Sequence, residues 1–242
     1  MIELLYFKII HQSSETGLDE EIAKYPSYSS LSEEDRKNTL DAIEQIYEEM
    51  WQAINNELNL LDFKAYSAVK VYRDSIARIP NNDRDQNLPP EKKYQNHPHY
   101  LKQIYEKSVS EKAQKTIFNL LERGAILEGT EIKTWWICHH HYQRIKDFLY
   151  DKIPNILYRT PLLSKKALPA IESFIIAKRD QFIARTIDKT LKDRELGILF
   201  MGAAHMVDLY LLDEVDITVY KFDEEETSEK LYKLYTHLAG VQ

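Results

Sequence analysis

The sequence predicts an α/β domain built on a central parallel or mixed sheet of about five strands flanked by long helices. Three observations lead there. Five short runs are dense in β-branched and aromatic residues, the composition that suits a pleated, buried strand. The stretches between them are long and mostly helical in periodicity, and crossovers of that length suit βαβ units. Glycine is scarce, 6 of 242 residues, against a usual share of about 7%, so the chain lacks the positive-φ turns that a many-stranded barrel or sandwich consumes.

Residues 3–10, ELLYFKII, form the first predicted strand, ending at His11 before the turn-rich QSSETG. From Leu31 to about Leu61 apolar residues recur at helical spacing, with Ser30 and Glu33 offering a capping box. Residues 65–72, AYSAVKVY, alternate as a second strand and terminate in Arg73 and Asp74. Residues 79–98 carry four prolines with several Asn and Asp, an irregular excursion that suits a lid. A helix from about Tyr100 to Arg123 stops at Gly124, a residue suited to a left-handed C-terminal cap. AILEGTE then gives a short strand three, ending in Glu128. Helices follow at 133–152 and about 170–194, separated by a stretch that Pro154 and Pro161 keep irregular. GILFMG is strand four, VDITVYKF strand five, and residues 228–238 an amphipathic helix able to close over the sheet. No repeat or linker divides the chain, so residues 1–242 are read as one domain.

Composition bounds the function. Hydrophobic residues at 43% and aromatics at 11% argue for a folded chain. A net charge of −7 disfavours general nucleic-acid binding, which needs a broad cationic surface. The single cysteine, Cys138, excludes an internal disulfide or a multi-cysteine zinc site. The early apolar run from Leu4 to Ile10 is short and interrupted by Lys8, so it reads as neither signal peptide nor membrane span. A cytoplasmic protein acting on a small molecule, without membrane or nucleic acid, is the expectation.

The informative coincidence is that His11, Arg73 with Asp74, Glu128 with Glu131, and His205 each follow a predicted strand. Open α/β sheets bind ligands outside the carboxyl ends of their strands. Parallel strands would therefore gather two imidazoles and two carboxylates in one crevice, a set that suits a metal ion or proton transfer. His205 follows Gly202 and two alanines, a bend where small side chains admit a substrate. Its bland alternative is a strand-end histidine satisfied by a carbonyl, and the same applies to His11. Glu131 also reads as a first-turn acid facing a helix dipole, whereas Glu128 at a sheet edge needs a cation, a metal or a shifted pKa.

Arg179 and Asp180 interrupt the apolar FIIAKRDQFIART, so at least one must be paired; the alternatives are a core ion pair and an Arg179 that orients an anionic group or a glutamate. The run His139–His140–His141 reads as surface or packing, because neighbours on a helix point about 100° apart and cannot enclose one ion. Trp135 and Trp136 read as core and Cys138 as a buried thiol.

RDQFIARTIDKTLKDRELGILFMGAAH, followed by DITVYKF, resembles the R-(D/N)-x-x-x-A…G-x-x-H signature of the superfamily containing erythromycin esterase, ChaN-type haem-binding proteins and TraB/Tiki-type proteins. The segments IIHQSSETG, VYRD and GAILEGTE are similar to those of an uncharacterised bacterial branch, with Lys8 standing where the first G-x-x-H would have glycine. The resemblance implies a shared pocket in which His11 and His205 are the motif histidines. Gly202 is then the second motif's glycine, Arg179 and Asp180 the helix signature, and Glu128 and Glu131 the acidic segment.

The expected function is a hydrolase, with or without a divalent metal ion on His11 and His205, in which Glu128 or Glu131 activates water. Arg73, Asp74, Arg179, Asp180 and Gly202 would contact substrate. The alternative is a non-catalytic module binding a metal, haem or small anion, and a third reading is a purely structural partner protein.

Overall fold

A computed structural model describes residues 2–9, 32–77, 112–131, 133–152, 166–202 and 205–221. Five strands form one sheet: β1 (Ile2–Ile9), β2 (Ala68–Ala77), β3 (Ile126–Glu131), β4 (Glu195–Gly202) and β5 (Val215–Lys221). Their order is β3-β2-β4-β1-β5, and every pairing is parallel. The expected α/β class is thus present, and its sheet is parallel throughout. Four helices accompany it among the described residues: α1 (Glu33–Asn59), α2 (Lys112–Glu122), α3 (Lys133–Lys152) and α4 (Leu168–Thr190).

β1 and β4 sit centrally, which explains their nearly unbroken apolar sequences: both faces are covered, so alternation has no use. On one face Phe7, Ile9, Val69, Val71, Leu127, Ile198 and Phe200 meet Tyr47, Met50, Trp51, Ile54 and Leu58 of α1 and Ile117 and Leu120 of α2. The α1 stripe follows the helical repeat. Each such side chain contributes about 1.5–3 kcal/mol of transfer free energy. On the other face Leu4, Tyr6, Tyr72, Leu199 and Met201 meet Ile183, Ala184 and Ile187 of α4 and Val207 beyond β4.

Travel along the sheet explains that division. From β1 the chain moves toward β2 and β3, and the helices described on the way, α1 and α2, lie on the first face. From β3 it reverses toward β4, and α4 lies on the second face. A single hand of crossover requires this switch of face when the direction reverses. Neighbouring β1 and β4 therefore lead to opposite faces, the arrangement that opens a crevice at the carboxyl edge.

Several boundaries differ from expectation. α1 is capped by Ser32, whose hydroxyl accepts from Asp35 N–H at 3.1 Å and donates to the Asp35 carboxylate at 2.7 Å, rather than by Ser30. β2 begins at Ala68 because a short turn, Phe63–Ala65, capped by Asp62, occupies its expected start. α4 stops at Thr190, not near Arg194: Leu191 turns extended into the core, and Arg194 adopts φ 64° in the turn entering β4. Gly124 fulfils its reading, with φ 98° and N–H bonds from Gly124 to Leu121 and from Ala125 to Leu120, both 3.0 Å.

The lower end of α4 is tied to β2. Lys70 Nζ donates to the Thr190 carbonyl and to Glu195 at 2.6 Å, and the Tyr72 and Thr190 hydroxyls share a hydrogen bond at 2.9 Å. A cation on a helix's terminal carbonyls also meets the negative end of its dipole. These contacts fix the longitudinal position of α4 and hence the height of Asp180 beside the sheet.

Candidate active site

β4 ends at Gly202, whose carbonyl accepts from His205 N–H at 3.0 Å, so the chain turns back within three residues. That turn delivers His205 to α4. Its Nδ1 is hydrogen-bonded to the Asp180 carboxylate, whose other oxygen accepts from Met206 N–H at 2.8 Å. His205 is 6% exposed and Asp180 2%. Below them the Tyr6 hydroxyl, on β1, donates to the His205 carbonyl at 3.0 Å. Three elements, β1, α4 and the exit of β4, thus converge on one imidazole. A carboxylate on Nδ1 leaves Nε2 as the ring's working atom, and among the described residues none hydrogen-bonds it.

Arg179, one residue before Asp180, turns toward α3. Its Nη1 donates to His139 Nδ1 at 2.8 Å. The other ring nitrogen of His139 lies 3.0 Å from the Gln143 amide, which also reaches Glu172 on α4 at 2.9 Å. Lys146 donates to Glu172 at 3.2 Å. Burial pushes the His139 imidazole down from 6.5 to about 4; the Arg179 charge adds to this, Glu172 opposes it, and His205 and Lys146 contribute further lowering. His139 is therefore a neutral ring at neutral pH. Burial raises the Glu172 carboxyl, but the hydrogen bonds and charge of Gln143 and Lys146 prevail and hold it below the usual range.

The placement of the other sequence candidates is mixed. His11 lies outside the described residues, as do the 79–98 excursion and the 228–238 segment. Arg73, Asp74, Glu128 and Glu131 do not follow their strands but lie within them, a correction with a clear cause. Strand length is set by pairing: Gly129, beyond the expected end of strand three, pairs with Arg73, and the ladder resumes past an irregularity at Ala77 and Glu131. In-register residues of parallel neighbours share a face. Arg73 is level with Phe200 and so belongs to the α1 face, whereas half-buried Glu128 is level with Tyr72 on the α4 face, the side of Asp180. Asp180, expected to contact substrate, has both oxygens engaged by His205 and Met206. Cys138 is exposed rather than buried.

The sequence reads His139 only as surface or packing, and it does not single out Gln143, Lys146, Glu172 or Tyr6. For Tyr6 a signal existed, because a tyrosine in a strand buried on both faces must find its hydroxyl a partner. Among the described residues no group of three or more His, Cys, Asp or Glu is gathered for a metal ion. The described donors thus do not complete an ion site, His11 being the other expected ligand. No described helix is long and apolar enough to cross a membrane. No family model, curated protein or solved structure matches the chain.

Proposed function

We propose that the chain is a hydrolase in which His205, oriented by Asp180, is the general acid–base group. The observation that carries this reading is the buried Asp180–His205 hydrogen bond at the carboxyl end of a central strand, beside a topological switch point. A carboxylate on Nδ1 fixes the tautomer, holds the ring in orientation and stabilises the imidazolium formed when Nε2 takes a proton. In the proposed reaction Nε2 takes a proton from water, the water oxygen bonds to the electrophilic centre, the bond from that centre to the leaving group breaks with its electron pair on the leaving group, and the proton passes from Nε2 to that group. A positioned base supplies about 10²–10⁴-fold. Arg179 then holds the carbonyl or anionic oxygen on which charge develops, since its planar fork suits such an acceptor. Glu128, on the same face as Asp180, and Glu131 and His11 complete the proposed catalytic set, with Arg73, Asp74 and Gly202 at its margins.

The resemblance to the erythromycin esterase superfamily supports the same reading. Net charge of −7 and a lone cysteine support a small-molecule substrate in the cytoplasm rather than a nucleic acid. An Asp180–His205 pair is also the pattern by which a carboxylate steadies a metal-ligating imidazole, so the ion expected on His11 and His205, or a binding module without catalysis, is the second reading. The test is hydrolysis of p-nitrophenyl acetate, p-nitrophenyl phosphate and p-nitroacetanilide, with and without chelator, by the wild type and His205→Ala. Turnover lost in the variant supports His205, and turnover lost with chelator supports the ion. Equal turnover in the two proteins overturns the assignment.

A further inference from the structure

Consecutive helical residues point about 100° apart, so an Asp180 that faces His205 sends Arg179 to another neighbour. That neighbour is α3, and the residue there is His139, with Nη1 to Nδ1 at 2.8 Å. Arginine has donors and no acceptor. Nδ1 of His139 must therefore carry its lone pair, and the single ring proton resides on Nε2, the side of Gln143. The ring is therefore hydrogen-bonded at its Nδ1 end, by Arg179; at the other end Nε2–H lies beside the amide nitrogen of Gln143, itself a donor, which is anchored to Glu172 across the α3–α4 seam at 2.9 Å. Tyr142, one residue before Gln143, secures the same seam by donating to the Leu168 carbonyl at 2.7 Å. Arg179 is itself 5% exposed, and a long side chain at such a place needs a fixed acceptor if its fork is to keep one orientation.

We infer that His139 is a positioning residue: its Nδ1 lone pair fixes the Arg179 guanidinium in the orientation in which the fork meets a substrate oxygen beside His205. What the fork meets rests on the proposed hydrolase; the positioning does not. A packing residue would be replaced by an apolar side chain of similar size, whereas a positioning His139 requires an acceptor at the same point.

The experiment compares full-length wild type, His139→Asn, whose amide oxygen occupies the place of Nδ1, and His139→Leu. The readout is the guanidinium ¹H–¹⁵N NMR signals of Arg179, assigned with Arg179→Lys, and the fold of each variant is checked by circular dichroism and thermal melting. The Arg179 Nη1–H signal is expected to be resolved in the wild type, lost in His139→Leu and recovered in His139→Asn. Signals unchanged in His139→Leu, or lost alike in both variants, overturn the inference. With a p-nitrophenyl substrate that the wild type turns over, His139→Leu is expected to lower kcat and kcat/KM together by about tenfold, and His139→Asn to restore them. A kcat fall of the same size in both variants overturns the role toward substrate. Expected NMR behaviour without wild-type turnover removes the hydrolase and leaves His139 as the holder of Arg179.

Discussion

Tyr6 on β1 holds the backbone of His205 through a hydrogen bond of 3.0 Å to its carbonyl, joining the central strand to the exit of its neighbour. Tyr6 is fully buried, so deletion of its hydroxyl strands an acceptor away from bulk water. Tyr6→Phe is expected to lower stability by about 1–2 kcal/mol and to loosen the His205 turn without disturbing the sheet. Urea unfolding measures the first effect. The second is read as a fall in p-nitrophenyl ester turnover larger than that of a stability-matched core variant such as Leu58→Val, on the opposite face.

Asp180→Asn separates the charge of this carboxylate from its shape. An amide presents one oxygen and one NH2 where two donors, His205 Nδ1–H and Met206 N–H, now converge. One donor must face another, or the imidazole must exchange its tautomer and lose the free electron pair on Nε2. Turnover is expected to drop about 10²–10⁴-fold, with about 1–3 kcal/mol of stability lost. A folded variant with wild-type turnover would show that Asp180 does not act through His205.

Gly197 lies in the centre of β4 where the end of α4 closes on the sheet. A Cβ there would stand 2.6 Å from Leu4 Cδ1, 3.0 Å from Leu191 Cδ2 and 3.4 Å from Tyr72 Cε2. Leu4 and Tyr72 are fully buried and Leu191 nearly so, so these groups have little room to yield. Gly197→Ala is expected to cost about 1–3 kcal/mol through overpacking, and Gly197→Val more. Thermal melting gives the ranking; an alanine variant as stable as wild type would mean that α4 can ride outward.

The strand cores were legible because a strand buried on both faces leaves a nearly uninterrupted apolar run, as in Leu4–Ile9 and Leu196–Met201. Arg179 and Asp180 were conspicuous for the converse reason, as charges within an apolar helix. Their partners were not legible. Whether Asp180 meets Arg179, a ligand or His205 depends on the height of α4 against β4, which the Lys70 and Tyr72 contacts set from a distant part of the chain. Helix geometry keeps the histidine run from forming an ion cage but does not decide the role of a single ring: His139 is singled out by which side of α3 packs on α4. Arg73 and Glu128 illustrate the limit for strands, since their ends are decided by the β2–β3 ladder and not by local composition.

The same His139 ring predicts a pH dependence of stability with a definite sign. Its pKa falls on folding from 6.5 to about 4, burial being the largest cause, with Arg179, Glu172, His205 and Lys146 as the charged or titratable groups around it. Between those values the unfolded chain binds a proton here that the folded chain refuses. Stability from this site is therefore fully present above pH 6.5 and is lost as pH falls toward about 4. Discounted for the solvent that reaches a half-buried ring, the loss is on the order of 1–2 kcal/mol. His139→Asn cannot take up this proton, so its unfolding free energy is expected to decline less than that of the wild type from about pH 7 to about pH 4.5. Urea titrations of both proteins across the interval measure the difference. Parallel pH profiles would mean that the folded protein accepts the proton as readily as the unfolded chain, and that Arg179 does not require a neutral partner.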